Sequence, residues 1–249
     1  MDLGLANRVA LVTAASKGLG LGAARALVRE GAKVMICARG ADALEEARSE
    51  LEAASFELGA GGEVVAIQCD VTRPEAPATL VDAAMESFGR LDILVANAGG
   101  PPPGRALEVN DEAIESAINA NLLTSVRLVR EALGPMRATG WGRICCVTSF
   151  SVVQPVPGLA LSNLSRTGLW AWAKTAAADL AAGTEGPSIT LNLACPGHHA
   201  TDRMIQLGGS GKMGDPDDFG RVVAFLCSEP ARFINGAAIV VDGGFTLAL

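Results

Sequence analysis

The stretch VALVTAASKGLG, residues 9–20, decides the fold. Its first four residues are apolar and predict a buried strand, and an Ala- and Leu-rich helix is predicted directly afterwards, near Leu19 to Glu30. Between strand and helix, Gly18 and Gly20 let the backbone approach a ligand closely, and the helix directs free N–H groups and its positive dipole end at the same point. A strand, a glycine turn and a helix in this order indicate a phosphate-binding turn.

The same alternation of short apolar strands and longer amphipathic helices runs along the whole chain. Six further strands are predicted at Lys33–Cys37, Val64–Ile67, Leu91–Val95, Ile144–Val147, Ile189–Leu193 and Ala238–Val241. The other helices are predicted at Ala41–Phe56, Pro74–Phe88, Asp111–Ala138 and Leu161–Ala182. Strands that are apolar on both faces are typical of a parallel sheet covered by helices on each side. The prediction is a doubly wound α/β fold with seven parallel strands, whose ligands bind beyond the carboxyl ends of the strands.

Composition narrows the classes of function. The 249 residues are 49% apolar and 19% charged, which suits one domain spanning residues 1–249. The net charge of −7 and the lack of a basic cluster argue against binding to nucleic acid or to an anionic membrane. No apolar stretch approaches the roughly 20 residues that a membrane span needs. The first five residues do not read as a signal peptide, so we expect a cytoplasmic location.

The six cysteines do not predict a metal site. No two of them have C-x-x-C spacing, and most fall in or near the apolar strands. We therefore expect buried free thiols and no bound metal.

Three further segments carry polar or small residues just after predicted strands. Asp70-Val71 follows the third strand, Ala96-Asn97-Ala98-Gly99 follows the fourth, and Pro196-Gly197 with Thr201 follows the sixth. Together with the phosphate turn and with Val241-Asp242-Gly243-Gly244, they make the chain resemble the short-chain dehydrogenase/reductase family over its whole length. The likeness is to its compact form, such as the ketoacyl-carrier-protein reductases, and it implies a Rossmann-type oxidoreductase that uses a nicotinamide coenzyme.

The resemblance implies a set of coenzyme-binding residues. They are Thr13, Ser16, Lys17, Gly18, Leu19, Gly20, Arg39, Asp70, Val71, Asn97, Ala98, Gly99, Arg166, Pro196, Gly197 and Thr201. Ser16 to Gly20 would hold the phosphates, Asp70 would bind the adenine amino group, and Val71 would pack on the adenine ring. Asn97 to Gly99 would line the adenosine ribose, and Thr201 would hold the nicotinamide carboxamide.

One residue of the phosphate turn departs from the family pattern. The first glycine of the motif is Ala14 in this chain. The turn should tolerate the extra methyl group if the φ of this residue is negative.

The second strand indicates the choice of coenzyme. It ends in Cys37-Ala38-Arg39-Gly40, without the acidic residue that usually binds the ribose 2′-hydroxyl of NAD. Arg39 and Lys17 would instead face the 2′-phosphate of NADP(H). The alternative is that both are solvated surface charges.

The catalytic positions are partly replaced. The family uses a Ser, a Tyr thirteen residues later, a Lys four residues beyond that, and an Asn on a preceding helix. Ser149 and Asn121 match, but Ser162 and Arg166 stand where Tyr and Lys are expected, and the chain contains no tyrosine. Residues four apart share a helix face, so Ser162 and Arg166 should both face the coenzyme. Serine is a much weaker acid than tyrosine, and arginine does not release protons near neutral pH.

Two replacements for the missing phenol are considered. His198 and His199, the only histidines, lie in the loop that borders nicotinamide and substrate in the family, and histidine transfers protons near neutral pH. The alternative is that they only cap a turn. The other replacement is the substrate itself, because an imine or iminium needs less from an enzymatic acid than a ketone does.

Two loops border the predicted cleft. A branch of the family is similar in combining a Ser-x-x-x-Arg pair with a Gly-Gly-Pro-Pro-Pro-Gly loop, as at Gly99–Gly104 here. We interpret that loop as a stiff wall. Residues 202–214 are predicted to form a short, glycine-rich substrate lid, which would suit an open cleft and a bulky substrate. The alternative is a disordered segment without function.

These features predict an NADPH-dependent reductase acting on a carbonyl or C=N group of a small organic substrate. The alternatives are a non-redox protein on the same scaffold (an NADP-binding sensor or a partner subunit), and a cyclase or lyase. Family members associate through their fourth and fifth helices, which implies a homo-oligomer, either a dimer or a homotetramer. Trp170 and Trp172, on the fifth helix, would lie at that interface or pack in the core.

Overall fold

The computed structural model describes residues 1–57, 62–182, 188–209 and 211–248. Seven parallel strands form one sheet in the order β3-β2-β1-β4-β5-β6-β7, which confirms the predicted fold class. The strands are β1 Val9–Thr13, β2 Lys33–Ala38, β3 Val64–Gln68, β4 Ile93–Ala96, β5 Trp141–Val147, β6 Ser188–Pro196 and β7 Ala238–Val241. The helices are α1 Gly18–Arg29, α2 Ala41–Glu57, α3 Ala76–Phe88, α4 Asp111–Ile118, α5 Thr124–Thr139, α6 Ala160–Ala181, α7 Asp202–Gln206 and α8 Pro216–Leu226.

The strand order places the functional loops at one edge of the sheet. β1 lies between β2 and β4, with Val12 paired to Ile36 on one side and to Val95 on the other. The direction of strand addition reverses at β1, so the loops after β1 and β4 leave the sheet side by side. Such a point is where ligands of open parallel sheets bind.

Helices cover both faces of the sheet and bury two apolar cores. Leu27 of α1, Leu51 of α2 and Phe219 of α8 pack on one face. On the other face, side chains of α3, α5 and α6 form the second core, among them Leu80 and Leu169. No helix in the described part of the chain is long and apolar enough to cross a membrane.

The long helix predicted over Asp111–Ala138 is interrupted. A π-helical turn, Asn119–Leu123, separates α4 from α5. The Thr124 hydroxyl donates to the Asn119 carbonyl over 2.9 Å, and Arg127 donates to the Asn119 side chain over 2.8 Å. The Thr124 N–H also donates to the Asn119 carbonyl, five residues earlier, which is the pairing that defines a π-turn. Such turns are frequent at functional sites.

Helix α8 is absent from the sequence-based prediction. Its start does carry a signal: Asp215 caps the helix by accepting from the Asp217 N–H over 2.8 Å, and Pro216 occupies the first helical position. Helix α7 was also not predicted, whereas the strands and the helices α1, α2, α3 and α6 begin and end within a few residues of the predicted positions.

Candidate functional site

The phosphate turn leaves donors free at the N-terminus of α1. Lys17 precedes the helix without making a side-chain cap, and the first turn carries no acidic residue. The first N–H groups of a helix have no partner within it, so those of Gly18 to Gly20 are available to an anion. A Cβ on Gly20 would lie 2.5 Å from the Ala14 carbonyl oxygen, so only glycine lets the helix start this close to the turn. The turn therefore fits a diphosphate.

The ends of β1 and β4 are joined at this turn. The Thr13 hydroxyl donates to the Asn97 carbonyl over 2.7 Å and accepts from the Asn97 N–H over 2.9 Å. The Asn97 side chain donates to the Ala14 carbonyl over 3.1 Å. Of the other predicted residues at this edge, Ser16, Leu19 and Ala98 are half-buried and Gly99 is exposed.

The condition of a negative φ at Ala14 is not met. Its φ is +48°, in the left-handed region. The cause is tertiary, because Ala14 is held between the bond from Asn97 and the hydrogen bond of the next residue, Ala15, to the Cys37 carbonyl (3.0 Å). The methyl group therefore sits where glycine is the usual residue.

The residues predicted to bind adenine directly follow β3. Asp70 Oδ1 accepts from the N–H and from the hydroxyl of Thr72, over 3.1 and 2.8 Å. These bonds, the backbone one first, lower the pKa of Asp70, so the side chain is a carboxylate with Oδ2 left to accept from an amino group. Val71 is buried beside it.

The two predicted phosphate-binding cations differ in their surroundings. Arg39 is exposed at the end of β2 and makes no salt bridge within the described residues. Lys17 Nζ lies 2.7 Å from Asp202 Oδ2, at the start of α7. This pair is exposed and therefore weak, so Lys17 can exchange Asp202 for another anion at little cost.

The residues in the Tyr and Lys positions lie on α6, at the carboxyl end of β5. Arg166 is 9% exposed, and its Nη1 donates to the carbonyls of Val147 and Thr148 over 3.1 and 2.8 Å. Nε and Nη2 make no hydrogen bond to the described residues. Burial lowers the pKa of Arg166 to about 10, which leaves it cationic at neutral pH. Ser162, one turn earlier, is half-buried.

The other predicted catalytic side chains are also placed by their backbones. Ser149 caps a 3₁₀ turn, Phe150–Val152, and its hydroxyl accepts from the Ser151 N–H over 3.1 Å. Asn121 lies on the π-helical turn, and although it is 4% exposed, both polar atoms of its amide lack a partner among the described residues. A buried amide without partners is costly, so Asn121 is suited to hold water or a ligand.

The two histidines have different environments. His199 is buried, its Nδ1 lies 3.3 Å from the Gly197 carbonyl, and its ring packs edge-on against Phe219. Desolvation lowers the pKa of His199, so it is neutral near pH 7. His198 is half-buried, and its ring contacts those of Phe150 and Phe245, with centroids 5.9 and 4.6 Å away.

The predicted lid is a short helix tied to the walls of the cleft. Thr201 caps α7 by accepting from the Met204 N–H over 3.3 Å, and its methyl group packs against Gly18. After α7 the chain continues through Leu207 to Gly209, whereas residue 210 of the predicted lid lies outside the described residues. Pro196 and Gly197 lead from β6 into this loop, where the Gly197 N–H donates to the Val241 carbonyl over 2.9 Å.

Backbone hydrogen bonds of Gly104, the last residue of the proline-rich loop, fix the end of that loop. The Gly104 N–H donates to the Gly158 carbonyl over 2.7 Å, and the Gly104 carbonyl accepts from the Ala160 N–H over 3.2 Å. The loop therefore runs from the end of β4 to the start of α6, close in the chain to Ser162.

Arg203 is a residue of the cleft that the sequence analysis did not assign. Its Nη2 donates to the Pro101 carbonyl, so α7 is joined to the proline-rich loop across the cleft. The two residues are 102 positions apart, and no local pattern signals their contact.

The chemistry of these residues is compatible with the predicted dinucleotide. The free N–H groups of α1, the carboxylate of Asp70 and the cation of Arg166 are groups able to bind the phosphate, adenine and ribose that the sequence analysis assigned to them. Among the described residues, no group of three or more His, Cys, Asp or Glu side chains is placed to hold a metal ion. The six cysteines are free, and five of them are buried.

Comparison with known proteins gives consistent likenesses. The family model described as enoyl-(acyl carrier protein) reductase matches residues 13–246. Dehydrogenase/reductase SDR family member 4 of Homo sapiens is 32% identical, over 96% of this chain and 88% of that protein. The structure of L-sorbose reductase from Gluconobacter frateurii, complexed with NADPH and L-sorbose, is 30% identical and superposes with a TM-score of 0.91 over 100% of both chains. A short-chain type dehydrogenase/reductase from Mycobacterium ulcerans is 28% identical, with a TM-score of 0.89 over 97% of this chain and 90% of that one.

Proposed function

Because the chain belongs to the short-chain dehydrogenase/reductase family, we propose that it is an NADP(H)-dependent oxidoreductase that reduces a carbonyl or C=N group of a small organic substrate. The observation that carries the proposal is the buried, cationic Arg166 beside Ser162 at the same sheet edge as the free N–H groups of α1. In this proposal, Ser162 and Arg166 act as a variant pair in place of the Tyr and Lys of the family.

The positive charges of two side chains support the preference for NADP(H). Arg39 is an exposed guanidinium at the end of β2 where an NAD-preferring enzyme has an acid, and Lys17 is held only by an exposed ion pair. L-sorbose reductase, a 30% identical relative, was solved with NADPH. Both cations would contact the 2′-phosphate in this proposal.

The protein's own groups position the reactants. The bound coenzyme would supply the hydride, and the carbonyl oxygen or imine nitrogen would take up one proton. The hydroxyls of Ser149 and Ser162 would orient the acceptor. Arg166, whose Nη1 donates to two carbonyls at the end of β5, would hold the nicotinamide ribose with its remaining N–H groups.

His198 is the better candidate for the proton donor. Burial lowers the pKa of His199, so its ring is neutral near pH 7 and is a poor acid. Arg166 keeps its proton at that pH and does not release it to a substrate. His198 is half-buried and packs on Phe150, the residue after Ser149. With an imine substrate the requirement is smaller, because such a substrate is itself basic.

The coenzyme is tested by binding. We expect NADPH to bind the purified protein at least about tenfold more tightly than NADH, since each charge-assisted bond to the 2′-phosphate adds affinity. Arg39→Ala should remove most of this difference by weakening NADPH alone. Arg105→Ala, at an exposed arginine of another loop, is the matched control and should leave both affinities unchanged. A protein that binds neither coenzyme contradicts the proposal.

A non-redox role is favoured by one observation, the absence of tyrosine from the chain. Turnover of NADPH with a panel of ketones and imines separates the two functions. If no member of the panel is reduced, and Ser162→Tyr with Arg166→Lys creates activity, then the native protein is a binding protein on this scaffold. If the native protein reduces a substrate and the double variant loses that activity, the reductase proposal holds.

A further inference from the structure

Side-chain hydrogen bonds fasten the residues that follow β7, 242–248, which we call the post-β7 segment. The Asp242 carboxylate accepts from two N–H groups of the segment, over 2.9 and 2.6 Å. The Gln154 side chain accepts from two others, over 2.8 and 3.2 Å. Phe245 lies between the two N–H groups that are bonded to Asp242, so its position is fixed although its ring is half exposed.

The post-β7 segment lies directly against the loops that follow β5 and β6. The Gly197 N–H donates to the last carbonyl of β7 over 2.9 Å, and a Cβ on Gly197 would lie only 2.4 Å from that of Asp242. Only glycine therefore allows this approach. Gln154, the second anchor, comes two residues after the 3₁₀ turn that Ser149 caps. The segment thus joins the loop that carries Ser149 to the loop that carries His198.

Phe245 completes a cluster of three aromatic rings, one from each of these three segments. Its ring centroid lies 4.6 Å from that of His198 and 5.4 Å from that of Phe150. The rings of Phe150 and His198 are themselves 5.9 Å apart and meet edge to face. At such distances, aromatic rings attract each other beyond the effect of the area that they bury.

Packing sets the orientation of the His198 ring. Within the part of the chain that the structure describes, no hydrogen bond joins this ring to another group, whereas the Nδ1 atom of His199 has the Gly197 carbonyl 3.3 Å away. A functional histidine is ordinarily oriented by a hydrogen bond at one of its nitrogens. In His198 the two phenyl rings take this role, and both nitrogens stay available.

We propose that Phe245 is a positioning residue, which holds the His198 imidazole in the orientation from which it gives its proton to the substrate. The inference rests on the proposed reductase function, in which the coenzyme supplies the hydride and His198 the proton. The imidazolium N–H bond breaks as an O–H or N–H bond forms on the acceptor, and the neutral ring then takes a proton from water. Phe150 supports the ring from the buried side and Phe245 from the exposed side.

The NMR spectrum of the two histidines tests the contact itself. With ¹³C-labelled histidine, each ring gives one Cε1–H signal, and His199→Gln shows which signal belongs to His198. We expect Phe245→Ala to shift the His198 signal, because a phenyl ring whose centroid is 4.6 Å away produces a ring-current shift. An unchanged His198 signal would overturn the proposal.

Steady-state kinetics test the role in proton transfer, with NADPH and the ketone or imine of the panel that the native protein reduces fastest. We expect Phe245→Ala to lower kcat about tenfold and to change KM less than about twofold, because a misdirected acid slows the chemical step more than binding. Phe245→Tyr keeps the ring and should retain most of kcat. Phe56→Ala, at an exposed phenylalanine of α2, is the matched control and should have native kinetics.

A double-mutant cycle shows whether Phe245 acts through His198. In the background of His198→Gln, adding Phe245→Ala should lower kcat no further, whereas two independent effects would multiply. Melting temperatures equal to that of the native protein show that each variant is folded. Multiplied effects, or a native kcat in Phe245→Ala, would count against the positioning role and refute it.

The affinity for NADPH keeps this inference apart from the proposed function. If Phe245→Ala weakens NADPH binding as much as it lowers kcat, then Phe245 serves the coenzyme, and the inference fails while the proposed function stands. If the native protein reduces no ketone or imine, the proposed function fails and this inference fails with it.

Discussion

Ala14 occupies a backbone conformation that normally belongs to glycine. At φ +48° an L-residue brings its Cβ close to its own carbonyl oxygen. We expect Ala14→Gly to raise the free energy of unfolding by up to about 1 kcal/mol, the relief of strain being offset by the greater freedom of glycine in the unfolded chain. Urea denaturation measures the change.

Its neighbour is the matched control. Ala15 is fully buried and does not have a positive φ, so Ala15→Gly should lower stability. If Ala14→Gly is as destabilising as Ala15→Gly, the left-handed conformation of Ala14 is refuted.

His199 makes stability depend on pH. Burial lowers its pKa below the 6.5 of the unfolded chain, so the unfolded state binds the proton more readily. The contribution of neutral His199 to the free energy of unfolding is therefore complete above about pH 6.5. It is lost as the pH falls from there toward the pKa of His199 in the folded protein. We expect His199→Gln to lose less stability than the native protein between about pH 8 and about pH 5.5.

The urea midpoints of the native protein and of His199→Gln are compared at the two pH values. An unchanged difference in His199→Gln would show that other groups cause the acid sensitivity.

At the scale of elements, α1 and α8 cross at two glycines. A Cβ on Gly22 would clash with the Pro216 carbonyl, and one on Gly220 would clash with the Gly22 carbonyl. Since both neighbours are backbone atoms, they cannot rotate away. We expect Gly22→Ala and Gly220→Ala each to cost roughly 1–3 kcal/mol of unfolding free energy.

Gly134, inside α5, is the control for these helical glycines. Nothing lies within 4 Å of the position of its Cβ, so Gly134→Ala should stabilise the protein by up to roughly 1 kcal/mol through helix propensity alone. Thermal unfolding of the three variants gives the comparison. Stabilisation by all three would contradict the close crossing of α1 and α8.

The sequence predicts a helix correctly where its apolar periodicity is enough to define the helix. The prediction is wrong where a tertiary contact interrupts the helix. The apolar spacing of Asp111–Ala138 fits one continuous helix, and the π-turn in it is held by bonds such as that from Asn119 to the Thr72 carbonyl, 47 positions away. Helix α8 was missed although its Asp215-Pro216 start is a local signal.

At the scale of the whole molecule, a cluster of charged side chains around Trp141 covers the end of the sheet opposite the cleft. Trp141 lies between the guanidinium groups of Arg8 and Arg143, 3.8 and 4.3 Å from its ring centroid, and its Nε1 donates to Glu229 over 2.8 Å. This cluster joins β1, β5 and the segment after α8. It anchors the scaffold without contacting the proposed site.

Glu229→Gln tests that anchor. The change leaves the fully buried Arg143 without its countercharge, and we expect a loss of roughly 1–2 kcal/mol in unfolding free energy, since Glu229 is partly exposed. Glu108→Gln breaks the exposed pair with Arg105 and should cost less than about 0.5 kcal/mol. Equal effects in urea denaturation would contradict a structural role for the cluster.

Two predictions about the whole molecule stay predictions. One is that residues 1–249 form a single domain with its lid. The other is association into a dimer or tetramer through the fourth and fifth helices of the family, which correspond here to α4–α5 and to α6. Trp170 and Trp172 of α6 are half-buried against the core beneath that face.

The sequence by itself determined the order of the strands and of the helices that join them as far as α6, the glycine turn after β1 and the residues that follow each strand. This is possible because apolar periodicity is a local property, and because parallel strands bring their carboxyl ends to one edge of the sheet. Only the tertiary structure decided the left-handed Ala14, the burial of Arg166, and the contact of Arg203 with Pro101. These depend on contacts between segments far apart in the chain, whose geometry is set by the packing of the whole core.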